Sequence, residues 1–171
     1  MFDIIKKLIF SRQITFEKGR VYLLGQSITM QPAFLFVALK KNLESGRIGN
    51  DFLYKSAKEA GIKYMEGMMN NFTMNFNESI KWGINSFELG GWGVTEIIRM
   101  KENENNAVIH IKNSTVASLY GKSKEPVDDI LRGFLAGAAT VMRKIDMECI
   151  ETKCSSKGNS YCEFILKPTI K

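Results

Sequence analysis

Glu151-Thr-Lys-Cys154-Ser-Ser-Lys-Gly158-Asn-Ser-Tyr-Cys162-Glu-Phe164 places two thiols and a carboxylate around one short polar turn. If Gly158 is the centre of that turn, Cys154 and Cys162 are symmetric about it and face each other across a hairpin on one side of a sheet. Glu151 lies three residues upstream of Cys154 and so on the opposite strand face, unless the strand bulges near Lys153 and reverses the parity. Two thiolates and a carboxylate are three ligands for a tetrahedral ion, and zinc tolerates that mixture best. A reduced hairpin and a cross-strand disulfide are the other two readings, and spacing alone does not choose among the three.

Working outward, Pro126 opens a long helix with Asp128 and Asp129 in its first turn, where the helix dipole favours acids. Ile130, Phe134, Gly137, Ala138 and Val141 form its apolar face. Upstream, Val94–Met100 and Ala107–Lys112 are β-type runs joined by the polar turn 102–106. Three helices precede them. The first runs from Pro32 to Gly46 with Leu35, Leu39 and Leu43 inward. A second, capped by Asn50-Asp51, turns Leu53, Ala57, Ala60, Gly61, Tyr64, Met68 and Phe72 inward. The third, 77–89, carries Ile80, Ile84 and Phe87 and stops at Gly90-Gly91. A short helix over 2–10 and a hairpin turning at Lys18-Gly19, the start of the sheet, complete the layout. The expectation is one α+β domain over residues 1–171: an antiparallel sheet of hairpins, about six strands in all, packed with about four main helices.

A chain of 171 residues buries roughly 70% of its unfolded surface without needing a disulfide. Hydrophobic residues are 44% and charged residues 25% of it, the balance of a globular protein. The longest apolar run, Ala33–Leu39, is far short of the ~20 residues of a membrane span. The N-terminus lacks the order of a signal peptide, and an odd cysteine count argues against a disulfide framework, so a cytoplasmic protein is expected. A net charge of +6 is spread among acids and not gathered into blocks, and no nucleic-acid-binding signature accompanies it. Catalytic groups are scarce. His110 is the one histidine and sits in mid-strand, where a hydrogen-bonded structural imidazole is the simpler reading. Gly90-Gly-Trp-Gly93 lacks the strand-before, helix-after context of a phosphate loop. Eleven Phe, nine Met and two Trp exceed the needs of a minimal core, and Met65, Met68, Met69 and Met74 are candidates to line a cavity.

Gly133-Phe-Leu-Ala-Gly137, followed by the Glu151/Cys154/Gly158/Cys162-Glu-Phe164 spacing, resembles the C-terminal signature of the 4-vinyl reductase domain family. That family includes hydrocarbon-binding proteins, sensor modules of phenol-responsive activators and a bacteriochlorophyll-synthesis protein, and shares its fold with trafficking-complex subunits. The match is strong over 127–166 and weaker upstream, through the order of helices, Gly91-Trp92-Gly93 and Asn113-Ser114. The resemblance implies zinc ligands at Glu151, Cys154 and Cys162 and at Asp128, where zinc-bearing members have cysteine; an oxygen ligand there softens the fit. Cys149 is a substitute ligand that reads better as a packed strand residue. The resemblance also implies a hydrophobic ligand pocket between helices and sheet, expected around Phe87, Trp92, Ile111 and Phe134. Ile111 stands where the phenol-sensing branch has tryptophan, which speaks against phenol. The function expected is non-enzymatic binding or sensing of a small hydrophobic molecule by a homodimer with a structural zinc, passing its signal to a separate partner. The alternatives are action on a vinyl-bearing tetrapyrrole and a protein-interaction scaffold.

Overall fold

The structure, a computed structural model, describes Lys6, Phe10 and residues 13–46, 51–71, 75–100 and 104–170. Most of the helix expected over 2–10 lies outside the described residues, as do Phe72 and Met74. Two antiparallel sheets and five helices make an α+β fold.

Strands β1 (Ile14–Glu17), β2 (Arg20–Leu23) and β3 (Gln26–Ile28) form a three-stranded sheet of their own. The expected turn at Lys18-Gly19 is present, with both residues at positive φ (48° and 80°), the twist that suits a two-residue hairpin. The hairpin does not start the main sheet, however. A second tight turn at Leu24-Gly25 (φ 52° and 75°) adds β3 instead. Leucine rarely adopts that conformation. Here burial holds it, since Leu24 packs with Leu23 and Met68 and against Tyr64, Trp82 and Leu89.

Helix α1 spans Phe34–Ser45 and α2 spans Asp51–Asn71. In α1 the expected inner face is reversed: Leu35 and Leu39 are exposed, and Val37 and Lys40 are buried. The cause is an ion pair remote in sequence, because Lys40 Nζ meets Asp129 Oδ2 at 2.5 Å and Glu44 Oε1 at 3.0 Å. A hydrophobic pattern cannot register a lysine whose partner lies in another helix. In α2 the buried residues are Leu53, Ala57, Gly61, Met65 and Met68, while Ala60 is exposed.

Helix α3 (Phe76–Leu89) begins at a reciprocal cap, Asn75 Oδ1 accepting from the Glu78 amide at 3.0 Å and Glu78 Oε2 from the Asn75 amide at 2.9 Å. The Gly90–Gly93 turn leads into β4 (Val94–Met100), which pairs with β5 (Ala107–Lys112) as expected. After α4 (Thr115–Tyr120) comes α5 (Asp129–Arg143), then β6 (Met147–Lys153) and β7 (Cys162–Pro168) joined through a 3-10 turn at Ser155–Lys157. The second sheet has the order β4-β5-β7-β6, so the described residues hold seven strands in two sheets. Its inward rows carry Ile109 and Ile111, Phe164 and Leu166, and Met147 and Cys149.

Helix α5 lies between this sheet and α2. On the α2 side, an added methyl at Gly133 would strike the carbonyl oxygen of Tyr54, and one at Gly137 that of Lys58; at Gly61 it would strike that of Phe134. Glycine is required there because the two backbones touch. Gly137→Ala is therefore expected to lower unfolding stability by ~1–3 kcal/mol. Gly83→Ala, where the new methyl meets nothing within 4 Å, is expected to be neutral or stabilising by up to ~1 kcal/mol. Urea denaturation of both variants checks the pair.

Candidate metal centre and adjoining cavity

The bulge required by the parity of Glu151 and Cys154 is present. Glu151 pairs with Phe164 and Lys153 with Glu163, so Thr152 is the extra residue. Glu151 thus continues the inward row of Met147 and Cys149, and Cys154 returns to the same face. Cys162 sits opposite, with its thiol 4.0 Å from Cys154 Sγ. Asp128, just ahead of α5, completes a group of four whose donor atoms all lie within 4.8 Å of one another. All four residues are buried.

The surroundings fix each donor. Ser114 Oγ donates to Asp128 Oδ2 at 2.8 Å, and the Asp128 amide donates to Glu151 Oε2 at 3.1 Å. Cys154 Sγ is 3.0 Å from Ser156 Oγ, and the Ser155 amide donates to Cys162 Sγ at 3.3 Å. Asp128 Oδ1 and Glu151 Oε1 are buried without a partner among the described residues. Two orphaned carboxylate oxygens beside two thiols in a dry core are the signature of a site that fits a cation, since an ion would satisfy what the protein leaves unpaired. Cys149, the substitute candidate, is a buried strand residue outside the group; its amide donates to Tyr54 Oη at 3.2 Å.

Without a cation the same burial disfavours charge. Desolvation raises Asp128 to about 6, and Glu151 is raised by burial and by the neighbouring Asp128 charge. The hydrogen bond from Cys162 to Cys154 lowers the Cys154 thiol and raises that of Cys162.

Further along α5, that helix, α3 and the sheet enclose a cavity of about 50 Å³. Met65, Gly83, Phe87, Ile97, Leu135 and Met142 are among its walls, and Ser79 and Thr95 are the hydroxyl-bearing ones among the described residues. Of the four residues expected around a pocket, Phe87 lines this cavity. Phe134 packs edge-on against it, ring centroids 5.6 Å apart. Trp92 stacks on Phe36 at 5.2 Å and borders a separate space of about 10 Å³ that also touches Lys40 and Asp128. Ile111 is fully buried in the strand row opposite Cys162 and Thr95. Among the methionines, Met65 reaches the cavity, whereas Met68 belongs to the core under the small sheet. Sequence reasoning missed Ser114, Thr95 and Gly83. The inward parity of Thr95 in β4 was the available signal.

His110 lies on the other face of the sheet, its Nε2 2.8 Å from Glu163 Oε2 and its ring stacked on Tyr161 at 4.1 Å. That is the structural imidazole expected from its mid-strand position.

Residues 107–168 match the sequence profile of the 4-vinyl reductase (4VR) domain, a span that contains all four metal-site residues. The chain carries a 4VR domain. Its fold is similar to that of the phenol-responsive sensory domain of the transcription activator PoxR, solved with phenol, at TM-score 0.78 and 16% identity over 98% of this chain and 90% of that one. A vinyl-4-reductase family protein from Methanocaldococcus jannaschii aligns at TM-score 0.58 and 19% identity over 84% and 85%. A trafficking protein particle complex subunit 3 from Naegleria fowleri, covalently bound to palmitic acid, aligns at 0.60 and 13% over 81% and 93%. No curated protein matches the chain in sequence. At these identities the solved structures speak for the fold of the chain that bears the 4VR domain.

The raised carboxyls give the metal-free protein a definite pH dependence. Asp128 binds its proton more tightly folded than unfolded, so its contribution to stability is complete below its ordinary value of 3.8 and is lost as the pH rises through about 6. Glu151 extends the loss to higher pH. With chelator present, melting temperature is expected to fall between about pH 4 and about pH 7 relative to Asp128→Asn, which lacks the titration. A divalent metal, which favours the deprotonated donors, is expected to bind more tightly over the same interval. Thermal melts of both proteins across pH check this.

Proposed function

We propose that this chain is a non-enzymatic, cytoplasmic ligand-binding or sensor domain, extending over its whole length, that holds a small hydrophobic molecule in the cavity between α3, α5 and the sheet. The observation that carries this reading is the apolar cavity itself, walled by aliphatic, aromatic and methionine side chains with two hydroxyls. Its volume of about 50 Å³ is below the roughly 300–1,000 Å³ of drug-sized sites. A tetrapyrrole is therefore a poor fit. Met65, Met100 and Met142 are in the walls, and their flexible thioethers can repack around a larger guest. PoxR is phenol-responsive and the Naegleria fowleri subunit carries palmitic acid; such neighbours support an interior that admits hydrophobic molecules in this fold.

Asp128, Glu151, Cys154 and Cys162 would hold one zinc ion. Bound there, zinc supplies the positive charge that lets four buried donors stay ionised. Four protein ligands close a tetrahedral site and leave no position for water or substrate, so the role is structural. It ties the β6–β7 hairpin to the start of α5. No helix among the described residues is long and apolar enough to cross a membrane. Met30, Phe34, Leu35 and Leu39 are exposed by 73%, 64%, 44% and 42%, an apolar patch that supports docking of a second copy, and the signal would pass to a separate partner protein.

Native mass spectrometry of the purified protein is expected to show a dimer with one zinc per chain and a co-purified apolar molecule; a metal-free, ligand-free monomer would defeat the proposal. Cys154→Ser is expected to lose the zinc and melt at lower temperature, whereas Asp128→Cys, which exchanges an oxygen for a softer thiolate, should bind zinc at least about tenfold more tightly in chelator competition. In Gly83→Leu the new side chain grows into the cavity from a position with open space. That variant is expected to fold, keep its zinc and lose the co-purified molecule.

A further inference from the structure

Strand β4 sends Thr95 and Ile97 into the cavity. Threonine is the exception in this row: the facing residues on β5, Ile109 and Ile111, are aliphatic, and Thr95 is paired in register with Ile111. Only 8% of Thr95 is exposed. Its amide is satisfied by Glu88 Oε1 at 3.3 Å, but its hydroxyl oxygen is buried without a hydrogen-bond partner among the described residues. The second hydroxyl in the wall, Ser79 Oγ, already donates to the Asn75 carbonyl at 3.0 Å. The cavity thus offers one unengaged polar side-chain atom in an otherwise apolar lining among the described residues.

A buried hydroxyl without a partner costs free energy that an isosteric valine would avoid. A ligand group that bonds to it removes the cost, and a hydroxyl can serve as donor or acceptor. The described residues of the wall include no charged side chain. An ionised carboxylate or an ammonium group would therefore be desolvated there without compensation. We propose that Thr95 Oγ1 is the polar anchor of the cavity, selecting a small neutral molecule with an apolar body and a single hydroxyl or carbonyl group. This rests on the cavity being the binding site and specifies the chemistry it accepts. Polar groups fix orientation and specificity in otherwise apolar sites, and one missing hydrogen bond discriminates between near-isosteres.

Cyclohexanol and methylcyclohexane, alike in shape and different in the hydroxyl, are the probes. Their dissociation constants are measured by ligand-observed NMR for the wild-type protein and for Thr95→Val, Thr95→Ser and Gly83→Leu. Thr95→Val is expected to weaken cyclohexanol about tenfold, within the range of one lost hydrogen bond, and to leave methylcyclohexane unchanged or slightly tighter. Thr95→Ser, which keeps the hydroxyl, restores cyclohexanol binding, and Gly83→Leu abolishes both. If both probes bind the wild type, Gly83→Leu excludes them and Thr95→Val changes neither or both equally, the cavity stands as the binding site and the anchor is overturned. If neither probe binds the wild type, or Gly83→Leu binds them as well as the wild type does, the cavity reading falls and the anchor falls with it.

Discussion

Backbone contact between α2 and α5 is the constraint on which the rest of the structure depends. Gly61, Gly133 and Gly137 remove the side chains that would hold the two helices apart, so α5 is pressed between α2 and the four-stranded sheet. Its other side presents Leu131, Leu135, Ala136 and Ala139 to the core that the sheet completes. Helices that meet through glycine gain dense packing, but any side chain at the crossing must be accommodated by moving backbone. Both candidate sites hang on this one helix. Asp128 stands at its beginning, opposite the β6–β7 hairpin, while Leu135, Ala138, Ala139 and Met142 wall the cavity.

The two sites use opposite chemistry within one core. At the start of α5, carboxylates and thiols are gathered where water is excluded, an arrangement that is costly for free charges and favourable around a cation. Along its body the lining is almost wholly apolar. The Lys40–Asp129 pair stands next to the metal centre and fastens α1 to the first turn of α5, so α1, too, is referenced to the same element. A shift of α5 on occupancy of the cavity would be felt at the hairpin and at α1 together, which is a physical route from ligand to surface.

How far the sequence could be read depended on whether local or remote partners decide each position. The hairpins at 94–112 and 146–166 were legible because alternation and polar turns are local signals, and the bulge near Lys153 followed from requiring Glu151 and Cys154 to share a face. In α1, by contrast, spacing alone makes Leu35 and Leu39 the inner stripe, and Asp129 draws Lys40 inward instead. The separate small sheet was missed for a similar reason, since Leu24 takes a positive φ only because Met68 and its neighbours bury it. Of the residues expected at the pocket, Phe87 and Phe134 share one cluster, while Trp92 is drawn away to stack on Phe36.

By itself the sequence determined the α+β class, the hairpin that carries two thiols, and the identity of all four donors, because residue type and spacing are properties of the chain alone. Tertiary structure decided that Asp128 meets Glu151, Cys154 and Cys162, and that two carboxylate oxygens are left unpaired in the core. It also decided where the cavity lies and that Thr95 faces it. Those facts are set by the approach of α5 to the sheet, a distance governed by the glycines of another helix contact, and no local pattern encodes it.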